Sequence, residues 1–181
     1  MTIELKDSAF IVIDLQEKLL PSIDNNQTII YNCNWLTRLA NRMNVPVLLV
    51  EQYPKGLGIT HHSIRELVVQ SAIIDKVHFS AARNINFIDK LAVLNKTHLI
   101  ICGIEAHVCV LQTAMDLNKL DYKIYVVADA TGSRNPEDKK LALSRMQQHG
   151  IQIVTKEMVL FEWLEISNTE LFKKISTEFL K

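Results

Sequence analysis

Asp14, Lys76 and Cys109 are the residues of this chain whose types and surroundings could support covalent hydrolysis. Asp14 closes the apolar run Phe10-Ile11-Val12-Ile13. A carboxylate that directly follows four apolar residues emerges partly desolvated at a sheet edge, where it can exchange protons; it could also be a helix cap or a loop charge. Cys109 follows the run 98–103 through Gly103-Ile104-Glu105-Ala106-His107-Val108 and leads into a helical pattern extending to Leu120. Its sulfur is therefore expected near a helix N-terminus, where unpaired N–H groups favour an anion and can bring a thiol pKa from about 8.5 into the range ~3.5–7.5. The same N–H groups could hold the oxyanion formed when a thiolate attacks a carbonyl. A lone cysteine is otherwise a small apolar residue, and Cys33, in a helical pattern, and Cys102, inside an apolar run, keep that role. Lys76 lies in Ile73-Ile74-Asp75-Lys76-Val77-His78-Phe79-Ser80, where it could end a short strand or point to solvent. Brought against Asp14 and Cys109, its ammonium would stabilise the thiolate while the carboxylate moved the proton. His107 is a rival base, but two residues apart on a helix of 3.6 residues per turn side chains diverge by roughly 200°, which suits a pocket wall or subunit contact better.

The elements that must position these groups are legible as alternating patterns. Short apolar, β-branched runs at 9–15, 45–50, 98–103, 123–128 and 151–155 are separated by helical stretches. This alternation predicts an α/β fold, a parallel sheet covered by helices on both faces. Residues 29–43 place Ile29, Trp35, Leu36, Leu39 and Met43 along one side, and 106–120 do the same with Val110, Ala114, Leu117 and Leu120. Pro136-Glu137-Asp138 opens a further helix that Gly150 stops. In such sheets ligands collect at the carboxyl ends of the strands, where Asp14 falls. The longest irregular stretch, 52–60, carries Pro54, Gly56 and Gly58 and either shapes a site or is a plain surface loop. Residues 158–164, with Phe161 and Trp163, pack on the parent domain or meet a second subunit.

Composition narrows the partners. The 181 residues, 48% hydrophobic and 22% charged, suit a single domain over 1–181 with an ample core. Twenty basic residues balance twenty acidic ones, so no excess positive field draws in nucleic acid or a membrane surface. Apolar runs are far short of the ~20 residues of a spanning helix, and the acidic start lacks the pattern of a secretory signal. Three cysteines without a CxxC pair suit a reducing compartment, and the cytoplasm is expected. Neither GxGxxG nor GxxxxGK(S/T) follows a predicted strand, so no nucleotide cofactor is expected. A small-molecule substrate and a homo-oligomer, dimer or larger, are the expected partners.

Several segments, in order, resemble the isochorismatase-like cysteine hydrolases, and within them the metal-independent branch of isochorismatase domain-containing proteins. They are Val12-Ile13-Asp14-Leu15-Gln16, Glu51-Gln52-Tyr53-Pro54-Lys55-Gly56-Leu57-Gly58, Lys76 with Phe79-Ser80, Gly103-Ile104-Glu105-Ala106-His107-Val108-Cys109-Val110 with Gln112-Thr113-Ala114, and Val127-Ala128-Asp129-Ala130-Thr131 with Ser133-Arg134. The resemblance implies a Rossmann-like three-layer α/β/α sandwich with a mostly parallel central sheet, and Asp14, Lys76 and Cys109 as acid, cation and nucleophile. It implies a cis peptide between Ile104 and Glu105, and the backbone N–H groups of Glu105 and Cys109 as an oxyanion hole. Gln16, Tyr53 and Phe79 fall where such a family lines its pocket. The implied reaction is attack on an amide-like carbonyl, release of the amine and hydrolysis of the thioester by water. The nicotinamidase branch holds a metal with Asp-x-His after the second strand, whereas this chain has Glu51-Gln52-Tyr53; His61 and His62 nearby rarely suffice for an ion, so no metal is expected. The competing possibility is an inactive relative that serves as a protein-interaction module, against which the intact Asp14, Lys76 and Cys109 set argues.

Overall fold

The computed structural model describes residues 2–180. Six strands are β1 (Ser8–Ile13), β2 (Val47–Gln52), β3 (Ile73–Lys76), β4 (His98–Ile104), β5 (Lys123–Gly132) and β6 (Gln152–Val154). They form one sheet in the order β3-β2-β1-β4-β5-β6, with every pairing parallel. The eight α-helices among the described residues are α1 (Asn26–Arg42), α2 (Pro54–Leu57), α3 (His62–Arg65), α4 (Ile85–Leu94), α5 (Leu111–Asn118), α6 (Pro136–Gln148), α7 (Lys156–Leu164) and α8 (Glu170–Phe179). None is long and apolar enough to cross a membrane.

The alternation of each strand divides the core. Phe10, Val12, Ile100, Cys102, Tyr125 and Val127 face α1, α7 and α8, while Ala9, Ile11, Ile13, Leu99, Ile101 and Val126 face α4, α5 and α6. Both faces of the central strands are covered, so they read as unbroken apolar runs, and all six residues of β1 are buried. The residues of 158–164 settle mainly on the parent domain. Val159, Leu160, Trp163 and Leu164 are buried, and the Trp163 indole donates to Ser8 Oγ at 3.0 Å, while Met158 and Phe161 stay exposed. Trp163 is therefore core, not contact surface for a second subunit. The following α8 closes over the same layer, with Phe179 edge-on to Trp35 at 5.2 Å.

Two boundaries differ from the sequence expectation in ways that matter. The second strand begins and ends two residues later than 45–50, at Val47 and Gln52, because its register with β3 runs on to the pair Gln52 and Lys76. The helical run from Ala106 opens as a wide π turn, Ala106–Val110, before α5. There the Glu105 carbonyl accepts from both Val108 and Val110 N–H, at 3.1 and 3.2 Å.

Successive strands are added on one side of β1 up to β3 and on the other side from β4 onward, and between β1 and β4 open parallel sheets leave a crevice beyond their carboxyl ends. Asp14 and the Ile104-Glu105 segment emerge side by side there. Gly103 makes the approach possible. Its φ of 120° lies outside the range of L side chains, and a Cβ there would overlap the backbone of Ile13, the residue before Asp14.

Candidate active site

Asp14, Lys76 and Cys109 come together at this crevice. Asp14 leaves β1 in the left-handed region, φ 52°, a conformation that Asp and Asn tolerate better than most residues. Its N–H is held by the Val50 carbonyl at 3.0 Å, so β2 fixes where the side chain points. Lys76, the last residue of β3, reaches across β2 to bond Asp14 Oδ2 at 2.7 Å, and both side chains are shut off from solvent. Asp14 Oδ1 is also buried and accepts no conventional hydrogen bond among the described residues. The thiol of Cys109, in the π turn, lies within interacting reach of both the carboxylate and the ammonium.

Electrostatics place the proton on sulfur at rest. Burial pushes the Cys109 thiol up to about 12; the neighbouring Asp14 charge adds to the rise, and Lys76 only partly offsets it. This reverses the expectation of a lowered thiol pKa, because loss of hydration and a nearby carboxylate outweigh the N–H groups of one turn. Burial likewise raises Asp14 above the usual carboxylate value, against the pull of Lys76, making it a better proton acceptor than a surface carboxylate.

A consequence can be measured without a substrate. The folded protein keeps the Cys109 proton up to about 12, whereas an unperturbed thiol releases it near 9.0. Between those values the unfolded chain binds fewer protons, so stability falls as pH rises, by up to about tenfold in the folding constant per pH unit. Cys109→Ser lacks this titration. Urea unfolding at a series of pH values should show wild type losing its stability relative to Cys109→Ser above about pH 9. A difference that stays constant to about pH 11 would place the thiol pKa near its ordinary value.

The other residues singled out from sequence separate into two groups. Tyr53 and Phe79 flank the end of β3 and are exposed, 54% and 55%, leaving rings free for a ligand or a second chain. Tyr53 N–H donates to the Lys76 carbonyl at 2.8 Å, and its ring lies over Gly56. Gln16 is fully buried and its amide is engaged: Nε2 donates to the carbonyls of Gln52 (2.9 Å) and Gly58 (2.6 Å), and Oε1 accepts from Gln52 N–H at 2.7 Å. Gln16 thus ties the end of β1 to the segment after β2. Glu51 does similar work, accepting from Thr60 N–H at 2.8 Å with Arg65 beside it. The stretch 52–60 is accordingly a fastened structure containing α2.

The Ile104-Glu105 peptide is cis. The Glu105 carboxylate is turned outward to Arg134, accepting from its N–H at 3.1 Å and its Nε at 3.0 Å. His107 points away from the thiol: Nδ1 pairs with Ser133 Oγ at 2.9 Å, and Nε2 lies 3.9 Å from Asp138. His61 and His62 stack on one another, ring centres 4.4 Å apart. Among the described residues no group of three His, Cys, Asp or Glu side chains is arranged to hold a metal ion. Gln52 escaped the sequence-based choice of site residues. Its Oε1 accepts from Lys76 Nζ at 2.5 Å, a contact signalled only by the extension of β2 by two residues.

Comparison with known proteins agrees with this fold. The isochorismatase domain model matches residues 8–158. Isochorismatase family protein 1B of Dictyostelium discoideum is 33% identical over 176 residues, covering 93% of this chain and 84% of that protein. Isochorismatase domain-containing protein 2 of Danio rerio is 34% identical, covering 94% and 85%. Among solved structures, the MAR1 ribonuclease of Caenorhabditis elegans superposes with a TM-score of 0.93 at 35% identity, covering all of this chain and 93% of that one. YcaC of Pseudomonas aeruginosa, solved with hexane-2,5-diol and covalent acrylamide, gives 0.92 at 25% identity, covering 99% and 92%.

Proposed function

The chain belongs to the isochorismatase family of hydrolases, and from that premise we propose that it cleaves an amide or related C–N bond of a small molecule through a thioester on Cys109. The observation that carries this is the buried Asp14–Lys76 pair with one carboxylate oxygen, Oδ1, left without a partner beside a protonated thiol. In the proposed first step Cys109 Sγ attacks the carbonyl carbon as its proton passes to Asp14 Oδ1. Charge gathers on the substrate oxygen, which the N–H groups of Glu105 and Cys109 receive. Collapse breaks the C–N bond, and the leaving amine takes the proton from Asp14. Water then adds to the thioester, releasing the acid and restoring the thiol. Lys76 keeps Asp14 ionised as a base and lowers the cost of negative charge on sulfur. Tyr53 and Phe79 are proposed as substrate contacts; Gln16 enters as the residue that positions the wall behind them. The chemistry is assigned to protein groups alone, without metal or cofactor.

Two further lines bear on this proposal. Acrylamide is an electrophile, and its covalent presence in the P. aeruginosa neighbour fits a reactive side chain in that fold. The C. elegans neighbour is a ribonuclease by name, but holding an RNA strand draws on cations along its phosphates. Here the ammonium at the site is already paired with Asp14, and the chain carries no net charge. We further propose a cytoplasmic homo-oligomer, supported by three unpaired cysteines and by the exposed apolar Tyr53, Val77 and Phe79 beside the site.

The test is to mix the protein with a panel of small primary amides, quench with acid within the first turnovers, and map adducts by mass spectrometry. An acyl group on the peptide bearing Cys109, with stoichiometric amine release, is expected. Amine release without any acyl-enzyme, or cleavage of RNA with no amide turned over, would remove the proposal.

A further inference from the structure

We propose that Gln52 is a positioning residue for Lys76, a neutral acceptor that holds the ammonium between Asp14 and Cys109 without competing for its charge. The inference rests on the cysteine-hydrolase proposal above and extends it to a residue outside the Asp14, Lys76 and Cys109 group. Gln52 and Lys76 are cross-strand partners at the ends of β2 and β3. Lys76 Nζ donates to Asp14 Oδ2 at 2.7 Å and to Gln52 Oε1 at 2.5 Å. An ammonium has three N–H bonds, so one remains for the side on which Cys109 lies.

The Gln52 amide cannot turn over. Its Nε2 donates to the Val77 carbonyl at 2.8 Å, and a flipped amide would set NH2 against the ammonium and oxygen against a carbonyl. Its backbone is held as well: the buried Gln16 side chain engages both the N–H and the carbonyl of Gln52. The acceptor is therefore fixed by contacts on three sides before any ligand arrives.

Neutrality is the part that matters chemically. A carboxylate at 52 would share the single ammonium with Asp14 and bring a second negative charge towards the sulfur, making a thiolate harder to form. Glutamine gives the ammonium a partner and leaves its charge to Asp14 and Cys109. The charged groups acting on the thiol are Asp14, from the end of β1, and Lys76, from β3. His107, on the same turn as Cys109, is directed to Ser133 and Asp138.

The experiment is the pH dependence of Cys109 alkylation by iodoacetamide, resolved by peptide mass spectrometry, for wild type, Gln52→Glu, Gln52→Met and Asp14→Asn. Gln52→Glu should slow Cys109 about tenfold at each pH, a displacement of roughly one unit to higher pH. Gln52→Met, similar in length but without an acceptor, should slow it about threefold. Asp14→Asn removes the negative charge nearest the sulfur and should move the profile the opposite way. If Asp14→Asn moves the profile and both Gln52 variants leave it in place, Gln52 has no positioning role and the hydrolase proposal stands. Lowered thermal midpoints with unmoved profiles would assign Gln52 to folding alone and also overturn the inference. A profile that none of the three variants moves would take down both this inference and the proposed site.

Discussion

Cys109→Ala abolishes turnover of every amide that the wild-type protein cleaves, by about 10⁵-fold or more, and leaves the fold standing. The size follows from the role: removing a covalent nucleophile leaves only binding and oxyanion stabilisation, and single deletions of such groups cost on the order of 10⁶ in kcat. The small effect on stability follows from the surroundings. Cys109 is 7% exposed, and alanine keeps the backbone while losing one sulfur's packing, about 1 kcal/mol. The measurements are amine release under saturating substrate and urea unfolding followed by circular dichroism. Turnover within about tenfold of wild type, with the fold intact, would exclude Cys109 as nucleophile and with it the thioester route. Cys33 and Cys102 provide the comparison, since both are wholly buried in the core layer on the α1 side of the sheet, whereas Cys109 belongs to the other layer.

How much of this could be read from the residues depends on where the information lies. The five main strands were legible because a parallel sheet covered on both faces demands unbroken apolar runs, and Asp14 was conspicuous as the charge that ends one of them. β3 was only hinted at: four residues at the sheet edge with Asp75 exposed carry little periodicity, and their place depends on pairing with β2. Gln52 stayed hidden for the same reason, since an amide has no proton chemistry of its own and matters through the lysine opposite. α8 was missed although Thr169 caps it and Ile175 and Phe179, four residues apart, form its buried stripe. The thiol expectation failed in sign. A helix-start argument sees the local N–H groups, whereas the buried carboxylate that opposes them comes from a strand 95 positions earlier in the chain. Local sequence reveals the elements well, but the balance of charges at a site is made by the topology.

That balance yields the second large effect, on stability. Lys76→Met leaves Asp14 buried without its ammonium, and breaking a buried pair by removing one partner costs about 3–5 kcal/mol. The loss should depend on pH. Burial already raises Asp14 above its ordinary 3.8, and removing Lys76 raises it further, so the folded variant takes up a proton that the unfolded chain would hold only near that value. The unfolded state then binds fewer protons across this window, so stability of Lys76→Met recovers as pH falls through the raised folded pKa towards 3.8. Asp14→Asn keeps a residue type that tolerates φ 52° and leaves Lys76 with Gln52 and an amide oxygen as neutral acceptors in place of a carboxylate. The double variant Asp14→Asn/Lys76→Met contains no buried charge at this point. It should be more stable at neutral pH than Lys76→Met by about 2 kcal/mol or more, and close to wild type, since replacing a buried ion pair with neutral groups is often without cost. Its catalytic loss should remain complete. Urea unfolding of the four proteins, at neutral pH and near pH 5, supplies the cycle. Additive losses in the double variant would mean that the two groups act independently. Recovery of stability without recovery of turnover would show that this fold keeps its buried pair for proton transfer at sulfur, where a neutral pair of the same shape could have held the strands together.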